Sequence, residues 1–469
     1  MKDVIIIGAG IAGLSAGHEL YKNNIDFQIL ETSNRAGGLI ETLKMEDYLI
    51  ETGPHTFSSV SHEILELVKD LGIEDKLVTA NPSSRKRYIY LDNKLILVPT
   101  NPVDFFKSGI LSKDGKLTLL EELFIKKELQ EESVENFVTR RFGREILKNI
   151  IQPYLNGVYA GDIKKLSADA VFPKLKDLEH KYKSVILGSL FSGKIKNSFK
   201  NLTLYSFFDG MEVLPKEIFE KLKTKIALNT KDIEITRAKD FFIVTFKTNN
   251  KPISYTTNSI LFAIPAHKIF NFSNLIPGSY LNEFSQIEYL PVATVVQTIE
   301  KSKLKLEEKG FGFLCTKEPH KKLLGTIWTS YIFPNRSPAD KMLLTSYIGG
   351  AHYKKVASQT EEEIKNLATK ELSEILQVSN QNSIDTLHVQ IHVNAIPQYN
   401  LGHLEKVKRI EELMDKNSGL FFTGNYLYGI SINDTIKTSK SAIKKIKQFL
   451  QDLKTNDSKS EVDKELVKK

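Results

Sequence analysis

A single cysteine, Cys315, among 469 residues excludes any internal disulfide and speaks against an oxidising compartment. It reads as a packed core thiol rather than a nucleophile. No run of 18 or more apolar residues occurs, so no membrane-spanning helix is expected. Met1-Lys2-Asp3 leads straight into an apolar stretch, which leaves no leader peptide and points to a cytoplasmic protein. There is no Ser/His/Asp or Cys/His motif context and no metal-ligand cluster, so no metal is expected. His388 and His392 lie four apart in a strand-like segment and read as two solvent-side histidines. A compact basic-aromatic array is also missing, which sets nucleic acid aside. No internal repeat appears, and residues 454–469, charged and polar, read as a disordered tail. The chain does carry a net charge of +8, compatible with anionic substrates or an anionic membrane surface. Its 41% hydrophobic residues can build sizeable cores, and its length suits two or three domains.

The most informative stretch lies at the start. Val4-Ile5-Ile6-Ile7 reads as a buried strand, followed by Gly8-Ala9-Gly10-Ile11-Ala12-Gly13 and a helical run to Lys22. Gly8 permits a tight turn, Gly10 lets a pyrophosphate approach the backbone, and Gly13 lets helix and strand pack closely. The helix N-terminus offers free N–H groups to phosphates. A second strand, Phe27 to Leu30, delivers Glu31, 18 residues after Gly13, where a carboxylate takes ribose hydroxyls. Strand, glycines, helix, strand and acid in register make a dinucleotide site.

A second glycine pair follows in Arg35-Ala36-Gly37-Gly38-Leu39. A plain nicotinamide enzyme has no need of it. It fits an extended cofactor whose pyrophosphate is gripped by a second loop, with Arg35 able to hold a phosphate or to remain a solvated loop charge. Glu31-x-x-x-Arg35-x-Gly37-Gly38 resembles the signature of the FAD-dependent amine oxidase superfamily, which includes monoamine oxidases, phytoene desaturases and protoporphyrinogen oxidases. Leu39 stands where many amine oxidases carry Arg. Further on, Gly157-Val158-Tyr159-Ala160-Gly161-Asp162, Leu166-Ser167 and Phe172-Pro173 resemble the oxygen-dependent, FAD-containing protoporphyrinogen oxidases. Segments 310–314, 324–328, 345–350 and 396–403 extend that resemblance, which covers roughly residues 4–450.

The resemblance implies an α/β fold: a Rossmann-like FAD-binding domain (1–75, 203–270 and 385–453), a mixed-sheet substrate domain (76–102 and 271–384) and a helical insert (103–202). The insert is either a set of core helices or a membrane-facing element. Implied cofactor contacts are Gly8, Ala9, Gly10, Ile11, Ala12, Gly13, Glu31, Arg35, Gly37, Gly38, Leu39, Gly53, Pro54, His55, Thr56, Ile233 (by its backbone), Gly424, Asn425, Ile430, Ser431 and Ile432. On the substrate side, Arg87 would meet a propionate, Leu314 and Tyr347 would sandwich a macrocycle, and His55 would orient the substrate or hydrogen-bond the flavin. Read from spacing alone, Leu314 and Tyr347 are ordinary sheet core. No side chain is implied as a catalytic acid or base.

The activity implied is oxidation of protoporphyrinogen IX with O2 as acceptor. Coproporphyrinogen III is the alternative substrate. A carotenoid or amine oxidase on the same scaffold, and a non-catalytic binding protein like the GDP dissociation inhibitors, are the other readings. The resemblance also brings peripheral contact with the inner face of a membrane and hand-over to a ferrochelatase as expectations.

Overall fold

The computed structural model describes residues 1–99, 102–191, 202–304, 309–316, 321–416 and 419–466. Residues 192–201 of the expected insert and the last three of the expected tail lie outside them.

The N-terminal sheet has seven strands. Ile226–Ala227, Phe27–Leu30, Lys2–Ile7, Lys251–Phe262 and Leu420–Phe422 run parallel, and Phe242–Thr248 and Lys231–Arg237 extend it antiparallel. Val4, Ile5 and Ile6 are fully buried, as a strand covered on both faces must be. Lys251–Phe262 starts earlier than its apolar end predicts. Its first half pairs with Phe242–Thr248 through Asn249 and Asn250, both at positive φ, a turn that suits tight hairpins. Its second half enters the parallel core. The helix Ile11–Lys22 packs on this sheet beside the C-terminal helix Ile432–Leu466.

That last helix runs on through 454 to Leu466, in a stretch that contains neither Gly nor Pro.

The second sheet also has seven strands, in the order Ile384–Pro397, Tyr289–Glu300, Lys341–Gly349, Leu323–Ile327, Gly312–Cys315, Tyr88–Leu91, Lys94–Leu97. It is mixed, since Gly312–Cys315 pairs parallel with Tyr88–Leu91. The helix Glu361–Ile375, started by a Thr360/Glu363 capping box, covers one face through Ile364, Ala368 and Leu372. Tyr289–Glu300 does not alternate as a one-sided strand would. It is central and buried along almost its whole length.

Two pairings cross the expected segment boundaries. Ile384–Pro397, where the third cofactor segment is expected to start, pairs with Tyr289–Glu300 of the second sheet. Leu77–Thr79 pairs with Leu204–Phe207, and so sides with the cofactor domain rather than with 76–102. Strand pairing at such separations leaves no trace in local composition.

Between Pro102 and Phe191 the described residues are helical and bury their own core, including Val134, Phe137, Leu155 and Leu166. Beside that core sits a buried charge network of Arg141, Lys176, Glu122, Glu132 and Glu179, with Arg140 at its edge.

Candidate active site

The two glycine loops meet face to face. The Gly37 N–H donates to the Ala9 carbonyl at 2.8 Å, and Gly10 bridges Gly37. A Cβ on Gly13 would overlap the Gly8 carbonyl oxygen, so only glycine lets this helix close onto its strand. The helix starts at Gly10 without a side-chain cap, and its first N–H groups remain available to an anion. Glu31 accepts from the Ala9 N–H (2.6 Å) and the Ser33 N–H (2.8 Å), which aims its carboxylate at the loop.

Arg35 is engaged by its own loop. Its guanidinium donates to the carbonyls of Ala36, Gly38 and Ile40 and pairs with Glu41 and Glu212, so it shapes the second loop. The Leu39 carbonyl packs against Gly53, which joins that loop to the Gly53-Pro54-His55-Thr56 turn.

The C-terminal segment closes the ring of contacts. Ser439 Oγ donates to the Ala12 carbonyl at 3.0 Å, tying the C-terminal helix to the fingerprint helix. Tyr399 donates its hydroxyl to the Asn425 carbonyl at 2.6 Å, and His403 Nε2 sits 3.1 Å from the Leu427 carbonyl. Ser431 Oγ accepts the Asp434 N–H at 3.1 Å, capping the last helix beside Ile430 and Ile432. Ile233 lies at a register shift between Lys231 and Glu234, where a bulge disturbs the ladder and frees backbone for other partners. These groups fit FAD: two glycine loops, an aimed carboxylate and two helix N-termini converge on one crevice.

On the second sheet, Leu314 pairs with Gly325, and Gly325 pairs with Tyr347. The three form a row across one face. Leu314 and Tyr347 are only half-buried in strands that are otherwise almost wholly buried. Gly325, lacking a side chain, lets the Leu314 side chain lie over it: a Cβ there would stand 3.0 Å from Leu314 Cδ2. The His55 ring meets the Tyr347 ring edge-on, with centroids 6.4 Å apart. Burial pushes His55 down to about 3, so it is a neutral ring, and neither nitrogen has a protein partner among the described residues. Arg87 precedes the strand Tyr88–Leu91 that pairs with Gly312–Cys315, its guanidinium 5.3 Å from the Phe311 ring centroid. It is solvent-accessible yet surrounded by protein, as the wall of a cleft is.

Three features escaped the sequence reading. Glu51 is buried and accepts from the Thr42 hydroxyl (2.7 Å) and the Met211 N–H (2.9 Å), anchoring the strand that delivers the Gly53–Thr56 turn. Burial pushes its carboxyl up to about 7. Arg336, also buried, donates to the carbonyls of Phe207 and Phe208. His388 and His392 are half-buried rather than solvent-side, facing neighbours across Val296 and Val292. Only a buried Glu two residues before a Gly-Pro turn gave any sequence signal.

Among the described residues, His18, Glu19 and Asp70 bring ligand atoms within 4.8 Å of one another. The Lys22 ammonium already neutralises Asp70 at 2.5 Å.

Fold and site together define an FAD-dependent oxidoreductase. The family model for flavin containing amine oxidoreductases matches residues 11–446, and the chain belongs to that family. It is 31% identical over 472 residues to the chloroplastic protoporphyrinogen oxidase of Nicotiana tabacum, covering 96% of this chain and 86% of the relative. To the coproporphyrinogen III oxidase of Bacillus subtilis (strain 168) it is 28% identical over 465 residues, covering 94% and 97%. A crystal structure from Exiguobacterium sp. 255-15 superposes with a TM-score of 0.80 at 22% identity, over 96% of this chain and 99% of that one. That likeness speaks for the fold.

Proposed function

We propose that this chain oxidises protoporphyrinogen IX to protoporphyrin IX in porphyrin biosynthesis, with O2 as acceptor and H2O2 released. Three rounds remove six electrons and six protons, and three O2 become three H2O2. FAD, when bound, supplies the hydride-accepting centre. The chain's residues bind and orient. The row Leu314–Gly325–Tyr347 carries this reading, because it sets two half-buried apolar side chains in one row of the sheet, against which a flat apolar ring packs. Arg87 holds a propionate at the rim. His55, neutral, offers a hydrogen bond rather than a charge. A substrate whose pyrroles stabilise the cation left by hydride departure needs no strong base, and the row contains none. The product then passes, on this reading, to a ferrochelatase.

Coproporphyrinogen III is the second reading, favoured by the near-complete overlap with the coproporphyrinogen III oxidases of Bacillus subtilis and Staphylococcus aureus (97% and 99% of those chains). Aerobic porphyrin fluorescence separates the two, with enzyme-free controls for autoxidation. Faster turnover of protoporphyrinogen IX is expected. Faster turnover of coproporphyrinogen III moves the assignment to that substrate. A yellow protein that turns over neither overturns both.

No helix among the described residues is long and apolar enough to cross a membrane. The insert nevertheless exposes Leu117 (59%), Leu120 (58%) and Phe124 (87%) at helical spacing, flanked by exposed Lys113, Lys126 and Lys127. Apolar residues bordered by lysines suit an anionic bilayer surface, and we propose that this face rests on one. A Leu120→Glu/Phe124→Glu variant is expected to lose at least half of its cosedimentation with phosphatidylglycerol vesicles while keeping its flavin. Unchanged cosedimentation would remove the membrane reading.

A further inference from the structure

The stretch Pro153-Tyr154-Leu155-Asn156-Gly157 belongs to the insert helix Gln152–Val158, and the contacts of that helix place Tyr154 on the side of Leu314. Leu155 points into the insert core and is fully buried. Gly157 points the other way: a Cβ there would overlap Leu314 Cδ2, so the helix lies directly against Leu314. Tyr154 and Gly157 are three residues apart and share one face of the helix. Tyr154 therefore projects from the same face that touches Leu314.

Tyr154 is 45% exposed, yet protein surrounds it closely enough that burial raises its hydroxyl above the ordinary range. It thus stays a protonated donor. Its one resolved charged neighbour is Arg87. Among the described residues the Tyr154 hydroxyl has no hydrogen-bond partner, and Arg87 has no acid partner. An O–H donor and a guanidinium, both open to solvent and without a protein acceptor, are electrostatic neighbours. That is the donor set a carboxylate requires.

Resting on the porphyrinogen reading above, we infer that Tyr154 is a specificity-determining residue, donating a hydrogen bond to the substrate carboxylate that Arg87 holds. The helical insert thereby reads the substrate's acid group, while the sheet grips its ring.

The test compares wild type with Tyr154→Phe, using protoporphyrinogen IX and its dimethyl ester, alongside fluorescence-quench titration with protoporphyrin IX and its dimethyl ester. A hydrogen bond to a charged group contributes about 1.5–3 kcal/mol, roughly ten- to a hundredfold. The variant is expected to raise KM for the free acid, and its Kd for protoporphyrin IX, by about tenfold. The value of kcat should stay within about twofold and flavin content should not change. With either diester the two proteins should match. Equal KM and Kd for the free acid, or an equal loss with the diesters, overturns the role of Tyr154. If wild type turns over neither porphyrinogen, the functional reading fails, and the titration alone then decides whether Tyr154 binds a carboxylate.

Discussion

Gly13→Ala is expected to purify colourless. The added methyl would overlap the Gly8 carbonyl oxygen and press on Ala263 Cβ at 3.3 Å, so the helix must lift from the strand it starts on. Gly8 is itself pinned, with its N–H on the Leu30 carbonyl at 2.8 Å. The turn cannot yield without pulling the second strand and Glu31 with it. Overpacking of this kind costs about 1–3 kcal/mol. Falling on the turn that faces the pyrophosphate, it lowers FAD affinity by roughly ten- to a hundredfold. The measurement is flavin absorbance per chain after dialysis, with far-ultraviolet circular dichroism to confirm folding. A folded variant with full flavin would show that this close approach does not govern cofactor binding.

Arg141→Met is expected to destabilise the insert by about 3–5 kcal/mol, the usual result of leaving a buried charge without its partner. Arg141 is fully buried. It donates to Glu179 through Nε (2.9 Å) and Nη2 (2.6 Å), and to the Ile125 carbonyl through Nη1 (3.0 Å). Glu122, at 3.2 Å, would keep only the Ser184 hydroxyl and the Val185 N–H. Burial alone would raise the Glu179 carboxyl, but hydrogen bonds from Arg141 and Arg140 outweigh it and hold it at about 2. The sign follows. A depressed carboxyl stabilises fully above its ordinary value of 4.5 and loses that contribution as pH falls through about 2. The gap between variant and wild type should therefore be widest near neutrality and shrink in acid. Urea unfolding at neutral and acid pH reads both. An equal gap at both pH values would assign the loss to packing instead of charge.

Legibility in the sequence followed distance along the chain. The fingerprint was readable because its strand, glycines, helix and acid sit within 31 residues, each dictated by local backbone needs. The helix His62–Leu71, closed by Gly72 at φ 69°, rests on equally local signals. The contacts of Arg35 were not legible, because a loop arginine looks alike whether it meets a phosphate or its own carbonyls. The place of Ile384–Pro397 depended on a partner strand about a hundred residues earlier. The row Leu314–Gly325–Tyr347 is a fact of register across three strands, and no spacing encodes it. Tyr154 carries no signal of its own, because its place is set through Gly157, whose missing side chain lets that helix face meet Leu314.

The bond from Ser439 to Ala12 spans 427 residues. The crevice it closes also borrows Lys251–Phe262 from the middle of the chain and Leu420–Phe422 from near the end. On a ribosome, the N-terminal loop would emerge long before the strand and helix that complete it. Domains ordinarily fold as they leave the exit tunnel. This one cannot finish until almost its whole length is free, and contacts so far apart in sequence form slowly. Flavin capture is thus a late event in the life of the molecule, and a chain truncated before Leu420 would have no means of keeping its colour.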